Sequence, residues 1–202
     1  RYQLDAAMNP IILPGHRNLA DTAASLTATP SVVSTLPASF LQTPERRKCS
    51  RSVDLTAQVF LYTWGSNQTA SMFADRFCNY TETATRRVQV YSDVAATTQI
   101  ADSGTVTVFP YTGFSANDVF TDEDFRLLKN SAFYFTPVTT MRALKVTYTD
   151  GSPANPDGYQ EWSRHFIGKP IELTRDVGYG AEPMRFDDMT SLFRMADGSL
   201  NS

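Results

Sequence analysis

From Val53 to Trp64 the chain alternates, with Val53, Leu55, Ala57, Val59 and Leu61 standing between Asp54, Thr56, Gln58, Phe60 and Tyr62. A period of two sends successive side chains to opposite faces of an extended strand. Toward Trp64 both sets become apolar, which predicts a central strand covered on two sides. Gly65-Ser66-Asn67 is expected to end that strand. Met72, Phe73 and Phe77 then recur at helical spacing through SNQTASMFADRF, a short helix with Ser66 or Asn67 as its cap.

Shorter alternating runs follow. Arg87–Tyr91 places Val88 and Val90 inward, a segment runs through Ile100, and Thr105–Phe109 places Val106 and Val108 inward beyond the turn Asp102-Ser103-Gly104. Short runs separated by turn chemistry read as antiparallel hairpins. Between Phe120 and Thr149, Thr121 can cap a helical turn that Asp122, Glu123 and Asp124 open, since acids suit the positive end of a helix dipole. Phe133 and Phe135, then Leu144, Val146 and Tyr148, mark strand faces, leaving Arg126, Lys129, Arg142 and Lys145 outward. Asp150–Gly158 is a turn-rich loop. Tyr159, Trp162 and Phe166 have helical spacing, a short strand is centred on Ile171 and Leu173, and Asp187–Ala196 reads as a terminal helix with Met189, Leu192, Phe193 and Ala196 on one face. The expected fold is mainly β: an antiparallel β-sandwich, jelly-roll-like, with short inserted helices, an extended N-terminal arm and a C-terminal amphipathic helix.

The arm is residues 1–50, ahead of a β-rich core at 51–178 and a C-terminal segment at 179–202. Pro10, Pro14, Pro30, Pro37 and Pro44 interrupt any long element in it. Ile11, Ile12, Leu13, Val32, Val33 and Phe40 are nevertheless too apolar for a free linker. Such an arm offsets its ordering entropy only by burying those side chains, on its own domain or on a neighbouring subunit. With Leu192 and Phe193 they form the expected subunit interface. The chain of 202 residues is long enough for one sizeable core. A formal net charge of −3 supplies no global field for nucleic acid or an anionic membrane. No apolar run approaches the length of a membrane-spanning helix, and RYQLDAAMNP does not read as a secretory signal.

No nucleophile elbow, phosphate loop, zinc-protease motif or dinucleotide fingerprint occurs, and neither His16 nor His165 has a recognisable dyad partner nearby in sequence. No catalytic residue, cofactor or metal is expected. Asp150, Ser152, Asn155 and Asp157 could offer oxygens to a hard cation, but the closing Glu of a calcium loop is missing, so a plain loop is the reading. Cys49 and Cys78 read as small buried thiols. Tyr62, Trp64, Tyr111 and Phe114 could form a sugar- or base-binding platform if exposed, although core positions are the commoner role. Arg46, Arg47, Lys48 and Arg51 form the one basic cluster, a candidate nucleic-acid contact through phosphate.

Two stretches carry a resemblance. Asp124-Phe125-Arg126-Leu127-Leu128-Lys129 before an aromatic strand is similar to the Arg-Phe-x-x-Leu-Lys region of coat proteins of small single-stranded DNA and satellite viruses. Gly180-Ala181-Glu182 with Ser191-Leu192-Phe193-Arg194 resembles a pattern in picorna-like coat proteins. The resemblance to icosahedral virus coat proteins implies a capsid, minor capsid or protrusion subunit in the virion, assembling with copies of itself or other capsid subunits. The alternative is an extracellular β-sandwich module binding a glycan or protein, with Asn67 and Asn79 in glycosylation sequons and Cys49 bonded to Cys78. A third reading is an enzyme built around His165, Asp157 and Tyr159.

Overall fold

The structure is a computed structural model that describes residues 11–12, 18–45, 48–76, 78–81, 83–108, 131–150, 154–169 and 171–172. The chain divides into two compact units, residues 1–12 with 172–202, and residues 13–171. The strands are β1 (Ile11–Ile12), β2 (Ser25–Thr29), β3 (Ser50–Arg51), β4 (Gln58–Arg76), β5 (Thr85–Tyr91), β6 (Gln99–Asp102), β7 (Val106–Thr107), β8 (Ser131–Thr149), β9 (Glu161–Trp162), β10 (Arg164–Gly168) and β11 (Ile171–Glu172). The described residues of the first unit are Ile11, Ile12 and Glu172, all in strands. The sheet built on β4 and β8 belongs wholly to the second unit. Among the described residues no helix is long and apolar enough to cross a membrane.

Two 19-residue strands, β4 and β8, pair antiparallel from end to end and organise the second unit. The first half of β4 carries β2 on its other edge, and the second half carries β10. The far edge of β8 carries β5, which in turn pairs with β6 and β7. Register shifts fall between Thr63 and Gln68, Gln68 and Ala70, and Ala70 and Met72. Bulges of this kind bend a strand and increase its twist. The bend folds the ribbon over on itself: Tyr62 on the first half of β4 meets His165 of β10, a strand paired with the second half, at 2.8 Å. Side chains from both halves thus share one core, and the fold is an antiparallel β-sandwich.

That core is aromatic. Phe60, Tyr62, Phe73, Tyr148 and Trp162 are fully buried, with the Phe60 ring edge-on to Trp162 at 4.9 Å and to His165 at 5.4 Å. Each such side chain contributes about 1.5–3 kcal/mol by leaving water. The segment before β2 is fastened to it. Buried Asn18 caps the 3-10 turn Leu19–Thr22, donates to the His165 carbonyl at 2.8 Å and accepts from the Ile167 amide at 2.9 Å. Leu41, in the second 3-10 turn Ala38–Gln42, is fully buried.

Several expectations change here. The helix expected over 66–77 is the second half of β4, where bulges bury Ala70, Ser71, Met72 and Phe73 in succession and so mimic a helical stripe. Tyr159, Trp162 and Phe166 do not share a helix either, because Trp162 lies on β9 and Phe166 on β10, separated at Ser163. The strand expected from Val53 begins only at Gln58, and Val53 is 66% exposed. Val106 is exposed rather than inward, while Val108 is buried. The turn at Asp102-Ser103-Gly104 is present, with Gly104 at φ +63° where a side chain would be strained. Arg46, Arg47, Leu13, His16, Ser152, Leu192, Phe193, the helical turn after Thr121 and the helix at 187–196 lie outside the described residues.

Candidate functional site

Four places gather polar side chains, and they differ in burial and in how fully their polar groups are paired. The first is inside the sandwich. Asp75 accepts hydrogen bonds on Oδ2 from Tyr148 Oη at 2.9 Å, Tyr80 Oη at 3.3 Å and Arg86 Nη1 at 2.9 Å. His165 has Tyr62 Oη 2.8 Å from Nδ1 and Tyr148 Oη 3.1 Å from Nε2. The single Tyr148 proton goes to Asp75, so Tyr148 accepts from His165 Nε2–H and Nδ1 accepts from Tyr62. Burial, only partly opposed by the Asp75 charge, lowers the His165 pKa to about 3. Burial likewise raises the hydroxyls of Tyr62, Tyr80 and Tyr148 well above the ordinary phenol range. The network is buried and neutral at His165, and it locks the two layers together. His165 shares no hydrogen-bond partner with Asp157 or Tyr159: its ring meets Tyr62 and Tyr148, whereas Asp157 and the Tyr159 carbonyl are both tied to Asn79 and the Tyr159 ring lies under Arg51.

The second place is the loop after β8. Buried Asp150 accepts from the Thr81 amide at 3.0 Å, from the Thr81 hydroxyl and from Asn155 Nδ2 at 2.8 Å. Asn79 donates from Nδ2 to Asp157 Oδ2 at 2.8 Å and to the Tyr159 carbonyl at 3.1 Å. The described oxygens considered for a cation thus hold the loop, and no metal-ligating cluster occurs among the described residues. The Asn79 sequon has its amide nitrogen engaged, whereas Asn67 is exposed on β4.

The third is the basic cluster. Lys48 pairs with Glu45 at 2.9 Å and lies over the Phe40 ring. Arg51 makes two bonds to Glu161, at 2.9 and 2.7 Å, and stacks on Tyr159 with 4.0 Å to the ring centroid. Both cations already have carboxylate partners. Val33 donates to the Arg51 carbonyl at 2.9 Å, Val32 bridges to Ser52, and Val32, Val33 and Phe40 are half-buried. Cys49 and Cys78 are not joined in a disulfide, and burial with the nearby Glu161 carboxylate pushes the Cys49 thiol up to about 11.

The fourth is the outer face of β5, β6 and β8. Val88 and Val90 belong to the core, so the pleat puts Arg87, Gln89 and Tyr91 on the opposite face, where Arg87 is exposed while Gln89 and Tyr91 are largely covered by their neighbours. Register then lays down rows across the sheet: Thr27, Leu61, Lys145, Gln89 and Asp102 in one, Ser25, Thr63, Ala143, Tyr91 and Gln99 in the next. Arg87 grips Asp102 from Nε at 3.0 Å and from Nη2 at 2.5 Å. Gln89 Nε2 donates to Gln99 Oε1 at 2.7 Å and to Asp102 Oδ2 at 3.3 Å. Arg87 is the main reason the Asp102 carboxyl is held down at about 2. Lys145 lies over the Tyr91 ring, 5.6 Å from its centroid. These side chains are oriented before any ligand arrives, which reduces the cost of ordering them on binding. Of this set only Lys145 stands out in the linear sequence. The valine alternation in β5 contains the signal for Arg87, Gln89 and Tyr91, while Gln99 and Asp102 depend on hairpin register. Tyr62 and Trp64 are core residues, not a platform, and Tyr111 and Phe114 lie outside the described residues.

No protein-family model matches the sequence. No curated protein sequence matches it either. Solved structures do share the fold. A fucosidase of Ruminococcus gnavus in complex with fucose superposes with a TM-score of 0.53 at 14% identity, covering 78% of this chain and 27% of that one. A CBM32 carbohydrate-binding module from Clostridium perfringens, in complex with GalNAc-β-1,3-galactose, superposes at 0.50 and 10% identity, covering 75% of this chain and 99% of the module. The antiparallel β-sandwich is therefore a fold shared with these structures, and the likeness is not to virus coat proteins. The expected resemblance to icosahedral coat proteins is corrected, and with it the self-assembling shell role, the virion location and the capsid-subunit and nucleic-acid partners. The chemistry agrees, because Lys48 and Arg51 discharge their cations onto Glu45 and Glu161 instead of presenting them to phosphate.

Proposed function

We propose that this chain is an extracellular, non-catalytic β-sandwich module that binds a glycan on the outer face of β5, β6 and β8. The observation that carries the reading is the fixed lattice of Arg87, Gln89, Gln99, Asp102 and Lys145 across three paired strands. A sugar presents hydroxyls at regular spacing, each both donor and acceptor. A rigid surface of amides and charges answers them without having to reorganise. A site that hydrogen-bonds hydroxyls discriminates strongly, since a ligand lacking them leaves polar groups unpaired. The fold's likeness to a module solved with a disaccharide supports the same reading.

The test is a glycan array with the intact chain, repeated with Gln89→Ala and Gln99→Ala. Selective binding of a sugar, weakened at least about tenfold in the double variant, is expected from losing two polar contacts. Retention of all glycan signals by that variant, with its thermal midpoint unchanged, would remove the face from consideration. Absence of any glycan signal would overturn the reading itself.

A further inference from the structure

The polar face is not balanced between donors and acceptors, and the imbalance bears on which glycan it takes. Asp102 is its carboxylate, and that group is fully used: it accepts from Arg87, from Gln89 and from the Gly104 amide at 2.9 Å. Arg87 cancels its charge. Lys145 has no carboxylate partner among the described residues; its ammonium rests on Tyr91. Three donor groups make no hydrogen bond within the described residues: Arg87 Nη1, the Gln99 amide nitrogen and Lys145 Nζ. The acceptors left over are Gln89 Oε1, on a side chain only 8% exposed whose two bonds are both made through Nε2, and the Tyr91 hydroxyl, which can donate as well as accept. The face therefore carries one uncompensated positive charge and an excess of donors, on a chain whose formal net charge is −3.

We infer that this face prefers anionic glycans, with an acidic sugar group seated between Lys145, Gln99 and the free edge of Arg87. The inference rests on the glycan-binding reading and narrows its ligand class. An acidic group supplies the acceptors that the face lacks, and charge-assisted bonds are roughly twice as strong as neutral ones. Asp102 does not repel it, since Arg87 neutralises that carboxylate in place. Lys145, half-buried on Tyr91, loses less hydration on binding than a fully solvated lysine would.

Isothermal titration of the intact chain with three probes tests this: an oligogalacturonate, the same oligomer with its carboxyls reduced to hydroxymethyl groups, and a sulfated galactan. At low salt, the oligogalacturonate is expected to bind about tenfold more tightly than its reduced counterpart, and the gap should shrink on raising salt to about 0.5 M. Lys145→Gln should cost about fivefold in acidic-ligand affinity, the upper end for an exposed charge pair, and cost the reduced oligomer, which meets Lys145 only as a hydrogen-bond donor, clearly less. Binding of the sulfated galactan alone would assign the site to sulfate, and of the oligogalacturonate alone to carboxylate; either supports the anionic preference. Equal binding of the acidic and reduced oligomers, or indifference to Lys145→Gln, would overturn this inference and leave glycan binding intact. Failure of all three probes together with a silent glycan array would overturn both.

Discussion

Arg86 and Arg87 are consecutive residues of one strand, each paired with an aspartate, and they do opposite work. Arg86 points into the sandwich, its side chain 3% exposed, and meets Asp75, which is fully buried. Arg87 points outward, 44% exposed, and meets Asp102. Burial works against the Arg86 charge, yet Asp75 holds its pKa raised. In the core an ion pair is a commitment: attraction is strong there, but either partner left alone is a buried unpaired charge. Outside, water screens the pair and its stabilising value is small. What the outer pair provides is geometry, fixing a guanidinium edge and an amide where a ligand can meet them. At Arg86 and Arg87 the pleat thus separates a pair that holds the core from one that faces solvent.

The contrast between the two pairs is largest at Asp75. Asp75→Ala removes the buried carboxylate that Arg86, Tyr80 and Tyr148 share, so a loss of about 3–5 kcal/mol is expected in urea unfolding. Arg87→Ala should cost no more than about 1 kcal/mol in the same measurement. Similar losses at the two positions would mean that burial does not distinguish the pairs.

Acid probes the inner region next. The folded His165 pKa, lowered from 6.5 to about 3, means that the unfolded chain binds the extra proton between those values. Stability from this group is therefore intact above pH 6.5 and falls as pH drops toward 3, by at most about 1.4 kcal/mol per pH unit. His165→Gln should flatten that slope in midpoints measured across the range, whatever it does to stability at neutral pH. The outer carboxylate behaves differently. Asp102 is lowered from 3.8 to about 2, so its contribution is present above pH 3.8 and lost only as pH falls through about 2. Arg87→Gln should leave the slope between pH 4 and 6.5 unchanged.

Sequence periodicity reached β5, where Val88 and Val90 enter the core, and the inward set Leu144, Val146 and Tyr148 of β8. It failed where register slips. Three shifts within β4 bury consecutive residues, and no local window distinguishes that from a helix face. The inner network was equally hidden, since Tyr62 lies 103 residues from His165 and Tyr148 lies 73 from Asp75. Only the folding over of the ribbon brings them together. The partner of Arg51 was hidden for a related reason: the carboxylate that neutralises it is 110 residues away.

The central claim is that recognition belongs to the outer face of β5, β6 and β8 while the inner network is purely structural. Amide and side-chain NMR shifts recorded during titration with the best array glycan test it directly. Perturbations should concentrate at Arg87, Gln89, Gln99, Asp102 and Lys145, leaving the His165 ring signals unmoved. Shifts gathered at the Asp150–Tyr159 loop or at Arg51, with the outer face silent, would contradict it.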